Sequence, residues 1–150
     1  MEIRQCQPGD ADKLLTLYRE LQPDDPVLPV SDAVARLEQL HRLPASGIFL
    51  GCIGAEPVTT CMLVVIPNLT RGGAPYALIE NVVTANAYRR HGYGRLILQS
   101  AIEAAWQAGC YKVMLLTGST RPETLAFYEA AGFEQSKTGF QIRRGARRAQ

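Results

Sequence analysis

Residues Arg89 to Arg95 read Arg-Arg-His-Gly-Tyr-Gly-Arg, and an amphipathic helix pattern begins inside them. Two glycines one residue apart at the mouth of a helix let backbone come close to a ligand. The first turn of that helix carries N–H groups without intrahelical acceptors and a partial positive charge, which together favour an anion. Arg89, Arg90 and Arg95 add to the field. A pyrophosphate suits such a loop; equally, Gly92 and Gly94 could simply let the helix pack close to a sheet. The two familiar phosphate loops do not match. A Walker A loop needs a Gly-Lys pair, which this chain lacks, and a dinucleotide fingerprint needs a third glycine where Ile97 stands.

The flanks turn the loop into a supersecondary unit. Upstream, Tyr76 to Val83 is rich in apolar and β-branched residues and reads as a strand. Downstream, Arg95, Gln99, Glu103 and Gln107 fall on one helical face, while Ile97, Leu98, Ala101, Ile102, Ala105 and Ala108 fill the other. Gly109 is placed to end that helix as a left-handed C-terminal glycine. Lys112 to Thr117 then reads as a second buried strand.

The spacing Arg89-x-x-Gly92-x-Gly94 resembles the acyl-CoA pyrophosphate loop of the GNAT family (Gcn5-related N-acetyltransferases). Phe127-Tyr-Glu-Ala-Ala-Gly-Phe133 resembles a second segment of that family, and Ile79-Glu-Asn-Val-Val resembles the strand of its glucosamine-phosphate acetyltransferases. The resemblance runs over most of the chain and is most specific from Glu80 to Phe133. It implies an α/β fold with a mixed, mostly antiparallel sheet flanked by helices, in which Tyr76–Val83 and Lys112–Thr117 splay apart around the cofactor. It also implies acetyl-CoA as cosubstrate and a small-molecule primary amine as acceptor. Dimerisation is common in the family, so a homodimer is compatible with the resemblance.

Site residues follow from the same resemblance. Arg89, Arg90, His91, Gly92, Tyr93, Gly94 and Arg95 hold the pyrophosphate, mainly through backbone N–H groups of Arg90, His91, Gly92, Gly94 and Arg95. The backbone of Val82, Val83 and Thr84 lies along the acyl and pantetheine parts, with Val82 N–H as oxyanion donor. Tyr128 corresponds to the tyrosine that protonates the departing thiolate, while Phe127 and Phe133 are core aromatics. Glu80 is either a base for the amine proton or a solvated strand residue; simple alternation puts Glu80, Val82 and Thr84 on one face. Asp24 and Asp25, between the first two helices, could attract a cationic amine. Many family members carry an asparagine where this chain has Arg121, so that function is not carried over.

The rest of the chain is consistent with one 150-residue enzyme domain and excludes several alternatives. A net charge of +2 gives no basis for nucleic-acid or membrane partners. The longest apolar run, Cys61 to Ile66, is far short of a membrane span, and no signal region opens the sequence, so a cytoplasmic location is expected. Cys6, Cys52, Cys61 and Cys110 are scattered, with no metal-ligand spacing; they read as buried hydrophobes, and no metal is expected. With no cysteine placed for a covalent intermediate, direct attack in a ternary complex is expected. His91 and His41 have no visible triad partner.

Earlier segments read as a strand at Glu2–Gln5, a helix capped by Asp10, a proline-held loop, a helix capped by Ser31, and strands over Ile48–Ile53 and Val58–Ile66. Thr120 and Glu123 are spaced as a capping box for a last helix, Glu134–Ile142 as a final strand, and Arg143–Gln150 as a solvated tail. Two rival functions remain on the same fold: an amino-terminal acetylase of proteins or peptides, and a non-catalytic acyl-CoA-binding module.

Overall fold

The computed structural model describes residues 1–144. They form two compact units, Met1–Leu115 and a second that begins at Leu116. The first unit is built on a five-stranded sheet in the order β1-β2-β3-β4-β5. Its elements are β1 (Glu2–Gln5), α1 (Ala11–Leu21), α2 (Val30–His41), β2 (Gly47–Ile53), β3 (Glu56–Ile66), β4 (Tyr76–Thr84), α3 (Tyr93–Gln107) and β5 (Val113–Leu115). The first four strands pair antiparallel, and β5 joins β4 in parallel. A parallel neighbour requires a crossover, and α3 provides it.

Alternation along the strands divides the core between two faces. Cys6, Ala11, Leu14, Ala33, Leu37, Ile48, Leu50 and Cys52 form one buried cluster of α1 and α2 with β2. On the other face Ile97, Leu98, Ala101 and Ala105 of α3 are buried. The thiol of Cys61 donates to Ile97 O at 3.7 Å, so α3 lies over the centre of β3. Gly109, at φ +77°, ends α3 as its spacing predicts.

Two helix starts differ from the expected caps. Asp10 accepts two bonds from the Arg4 guanidinium, at 2.7 and 2.8 Å, and one from Gln7 N–H at 2.8 Å. Its carboxylate therefore closes the short 3-10 turn over Pro8–Asp10 and does not cap α1. Helix α2 starts at Val30, one residue before the predicted cap Ser31, because Ala33 N–H reaches Pro29 O at 3.0 Å.

The second unit carries α4 (Pro122–Ala130). Thr120 does not cap it. Proline forces the residue before it out of the helical region, and Arg121 sits at φ −68°, ψ 130° as the first non-helical residue. Gly132, at φ +96°, ends the helix. Residues 134–144 form no strand, contrary to expectation, and Phe140 and Ile142 are 94% and 100% exposed. Of the expected tail Arg143–Gln150, the residues beyond position 144 lie outside the described residues. No helix of the described residues is long and apolar enough to cross a membrane.

Candidate active site

The edge of β4 and the loop that follows it form one continuous run of backbone. Strand β5 pairs with β4 only over Ala77↔Val113, Leu78↔Met114 and Ile79↔Leu115. From Glu80 to Thr84, β4 runs on beyond its last partner in β5, so its outer edge is open there. The pairing stops at Ile79 because β5 ends at Leu115.

A bulge determines what that open edge presents. Thr60 pairs with Val83 and Met62 with Glu80, so Cys61 faces both Asn81 and Val82. Asn81 takes φ +53°, the left-handed region that asparagine tolerates better than most residues. The extra residue reverses the parity of the strand. Ala77 N–H donates to Lys112 O, on the β5 side, at 3.0 Å. Ala85 N–H donates to Val58 O, on the β3 side, at 2.9 Å. Without the bulge both odd-numbered amides would point to the same side. Counting back from Ala85, Val83 N–H points to β3 and the N–H groups of Val82 and Thr84 point to the open edge.

The bulge also corrects the side-chain placement. Glu80 and Val83 share the face of Met62 and Thr60, whereas Thr84 turns to the opposite face with Thr59. The Thr59 and Thr84 hydroxyls lie 2.8 Å apart, and Thr59 Oγ1 donates to Val83 O at 3.0 Å. Glu80 and Thr84 therefore do not point the same way, as unbroken alternation had them. Glu80 is half-buried.

The loop after β4 is anchored at both ends. Glu20 of α1 accepts from Asn86 N–H at 2.6 Å, and Arg89 Nε–H donates to Thr84 O at 3.2 Å. Arg90 at φ +66° and Gly92 at φ +80° turn the chain into α3. A Cβ built on Gly92 meets nothing within 4 Å, so the glycine answers to backbone conformation and not to packing. The N–H groups of Arg90, His91, Gly92, Tyr93 and Gly94 find no acceptor among the described residues. Arg95 N–H, by contrast, donates to Gly92 O at 3.1 Å, so of the expected loop donors it is already engaged. The His91 ring stacks on Tyr93 at 5.7 Å, and its Nδ1–H donates to Arg89 O at 2.8 Å. That bond fixes the imidazole to its own loop. Arg89, Arg90 and Arg95 are exposed.

Five free amides, three exposed guanidinium groups and an open strand edge together suit a long anionic ligand that also offers hydrogen-bond acceptors along its chain. The comparisons with known proteins identify the class. The model of the acetyltransferase (GNAT) family matches residues 14–133. The chain belongs to this family. It is an acyltransferase. A glucosamine 6-phosphate N-acetyltransferase of Trypanosoma brucei brucei is 30% identical over 137 residues, which are 89% of this chain and 88% of that protein. A protein of Agrobacterium tumefaciens str. C58, provisionally assigned as an acetyltransferase, is 49% identical. Its structure superposes with a TM-score of 0.91 over 96% of this chain and 100% of its own. The aminoglycoside N-acetyltransferase AAC(6')-Iy, in complex with CoA, shares the fold at a TM-score of 0.79. Its identity is 16%, over 97% of this GNAT chain and 95% of its own.

The other predicted residues are placed as follows. Tyr128, on α4 in the second unit, is half-buried, with ring centroids 5.1 Å from Phe127 and 6.3 Å from Phe133. Asp24 and Asp25 are exposed in the loop between α1 and α2. Arg121 is exposed and lies 3.9 Å from the Glu123 carboxylate. All four cysteines are buried and free. Burial pushes the Cys6 and Cys61 thiols up to about 12, which keeps them protonated and unreactive. No cluster of metal-ligating side chains occurs among the described residues.

Sequence reasoning missed the bulge. Its signal was Asn81 itself, a residue depleted from strands, at the middle of an apolar one.

Proposed function

We propose that this GNAT protein moves the acetyl group of acetyl-CoA to a primary amine of a small molecule, by direct attack with both substrates bound. The observation that carries the reading is the unclaimed backbone: five N–H groups in the Arg90–Gly94 loop, continuous with the open edge at Val82 and Thr84. Acetyl-CoA supplies an activated acyl group and a pyrophosphate. The loop amides and the Arg89, Arg90 and Arg95 side chains hold the pyrophosphate, while Val82 N–H receives the negative charge that develops on the carbonyl oxygen. One such donor is worth about 3–4 kcal/mol of barrier. Glu80 takes the amine proton, directly or through water, and Tyr128 gives a proton to the sulfur as the carbon–sulfur bond breaks. The relative named for glucosamine 6-phosphate supports a small-molecule acceptor over a protein amino terminus.

Calorimetric titration of acetyl-CoA tests the reading. Micromolar affinity, about −8 kcal/mol, is expected for the native chain. Gly92→Asp should weaken it at least about a hundredfold, because the left-handed backbone is strained and a carboxylate faces phosphate. Unchanged affinity in that variant would remove the loop from the site.

A further inference from the structure

A cavity of about 450 Å³ lies between α1, α2 and the sheet, within the first unit. Its size falls within the roughly 300–1,000 Å³ of small-molecule sites. Its walls are mainly hydrocarbon, including Leu37, Leu40, Ile48 and Met62. One guanidinium lines it, that of Arg36, and it already donates to Gln39 Oε1 at 3.0 Å. The rim is apolar too. Leu28 lines the cavity and is 40% exposed, and its neighbours Val27 and Val30 are 80% and 49% exposed. Apolar groups left in water around a concave wall mark a surface that meets an apolar partner.

The polar end of the cavity adjoins the reacting strand. Asn81, the bulge residue, lines it, and the next residue is Val82. Tyr18 also lines it. The Tyr18 hydroxyl is the one buried side-chain polar atom without a hydrogen-bond partner among the described residues. Burial pushes its pKa up, and the nearby Asn81 side chain pulls in the other direction, so the hydroxyl stays protonated. With Asn81 as its polar neighbour and no acceptor for its O–H among the described residues, the hydroxyl favours a bound polar group at this end.

We infer that the acceptor is a primary amine on an alkyl or aryl body: the body fills the cavity under α2, and the amine lies at the Asn81–Tyr18 end, beside Val82. The inference rests on the acetyl-transfer reading and names its substrate class. A sugar phosphate is disfavoured in this cavity. Most of its hydroxyls would face hydrocarbon, since polar side chains line only the Asn81–Tyr18 end and the Arg36–Gln39 pair, and its phosphate would meet a single, exposed guanidinium.

The test is steady-state acetylation by the full chain of 2-phenylethylamine, glucosamine 6-phosphate and an alanine-initiated peptide, alongside acetyl-CoA calorimetry. The kcat/KM for 2-phenylethylamine should exceed those of the other two at least about tenfold. Leu28→Ser, at the partly exposed rim, should lower it about three- to tenfold through KM, and Ala33→Phe should lower it further by filling the cavity. Acetyl-CoA affinity should hold in both variants, which also reports that each has folded. A preference for glucosamine 6-phosphate or the peptide, with acetyl-CoA bound normally, overturns the inference alone. Unchanged kinetics in Leu28→Ser also overturns it. Failure to bind acetyl-CoA overturns the transfer reading beneath it.

Discussion

Asn81 decides which way the reacting edge of the sheet faces. Its φ of +53° inserts one residue into β4, and that insertion turns the amides of Val82 and Thr84 outward. An L-residue in this conformation costs about 1–2 kcal/mol, less for asparagine and least for glycine. Asn81→Gly should therefore keep the bulge and hold the denaturation midpoint nearly constant. Asn81→Val should be destabilised by about 2 kcal/mol, since a β-branched residue resists positive φ most. If valine resolves the strain by losing the bulge, the parity of β4 reverts and kcat falls even where the protein stays folded. Chemical denaturation and acetyl-transfer kinetics of the two variants check this. Equal stability and activity in valine and glycine would show that backbone conformation is not what the asparagine serves.

At the scale of elements, β1 and the turn before α1 are joined by one ion pair that the sequence does not advertise. Arg4 and Asp10 make two hydrogen bonds, with the Asp10 side chain 15% exposed and Arg4 36% exposed. The Arg4 guanidinium holds the Asp10 carboxyl below its usual range, and Gln7 N–H adds to that. A carboxylate depressed on folding contributes stability that is complete above its unfolded value, about pH 4. That contribution is lost as pH falls through the lower folded value. Asp10→Asn should cost about 1 kcal/mol at pH 7, after allowance for the exposure of Arg4. The difference from the native chain should shrink as pH falls below about 4, as thermal unfolding across pH will show. A cost that does not change with pH would mean that the turn's geometry, not its charge, is what Asp10 provides. The same residue illustrates what was legible. Periodicity located α1, α2 and α3, and apolar runs located β2, β3 and β4, because burial on one face leaves a repeat in the residues. The turn at Gly92 was legible for a different reason, a positive φ being a local property that glycine accommodates, whereas Arg95 N–H, expected among the free donors, is engaged by Gly92 O. Asp10 as a helix cap, Thr120 as part of a capping box and Glu134–Ile142 as a strand were not realised. Each depends on competition from elsewhere: a distant arginine, the restriction Pro122 places on Arg121, and a partner strand that pattern alone cannot supply. The alternation across Glu80, Val82 and Thr84 failed at the bulge for a related reason, since one inserted residue changes the face of everything after it.

The whole molecule is uneven in how its parts are held. In the first unit α3 buries Ile97, Leu98, Ala101 and Ala105 against the sheet, and each is fully buried. In the second unit α4 has no buried residue, and its aromatic contacts run among Phe127, Tyr128 and Phe133. Stability is not uniform where burial is not, and segments poor in buried apolar contacts open locally at small free-energy cost. The residue proposed to protonate the leaving sulfur thus sits on the less buried helix, and the proposed phosphate loop begins the more buried one. Amide hydrogen exchange should separate them. In the absence of acetyl-CoA, the central amides of Tyr93–Gln107 should exchange only through global unfolding. Those of Pro122–Ala130 should exchange faster by at least about a hundredfold, or 2.7 kcal/mol of opening free energy. Equal protection of the two helices would mean that α4 opens only with the whole chain, and that its low burial does not translate into local freedom.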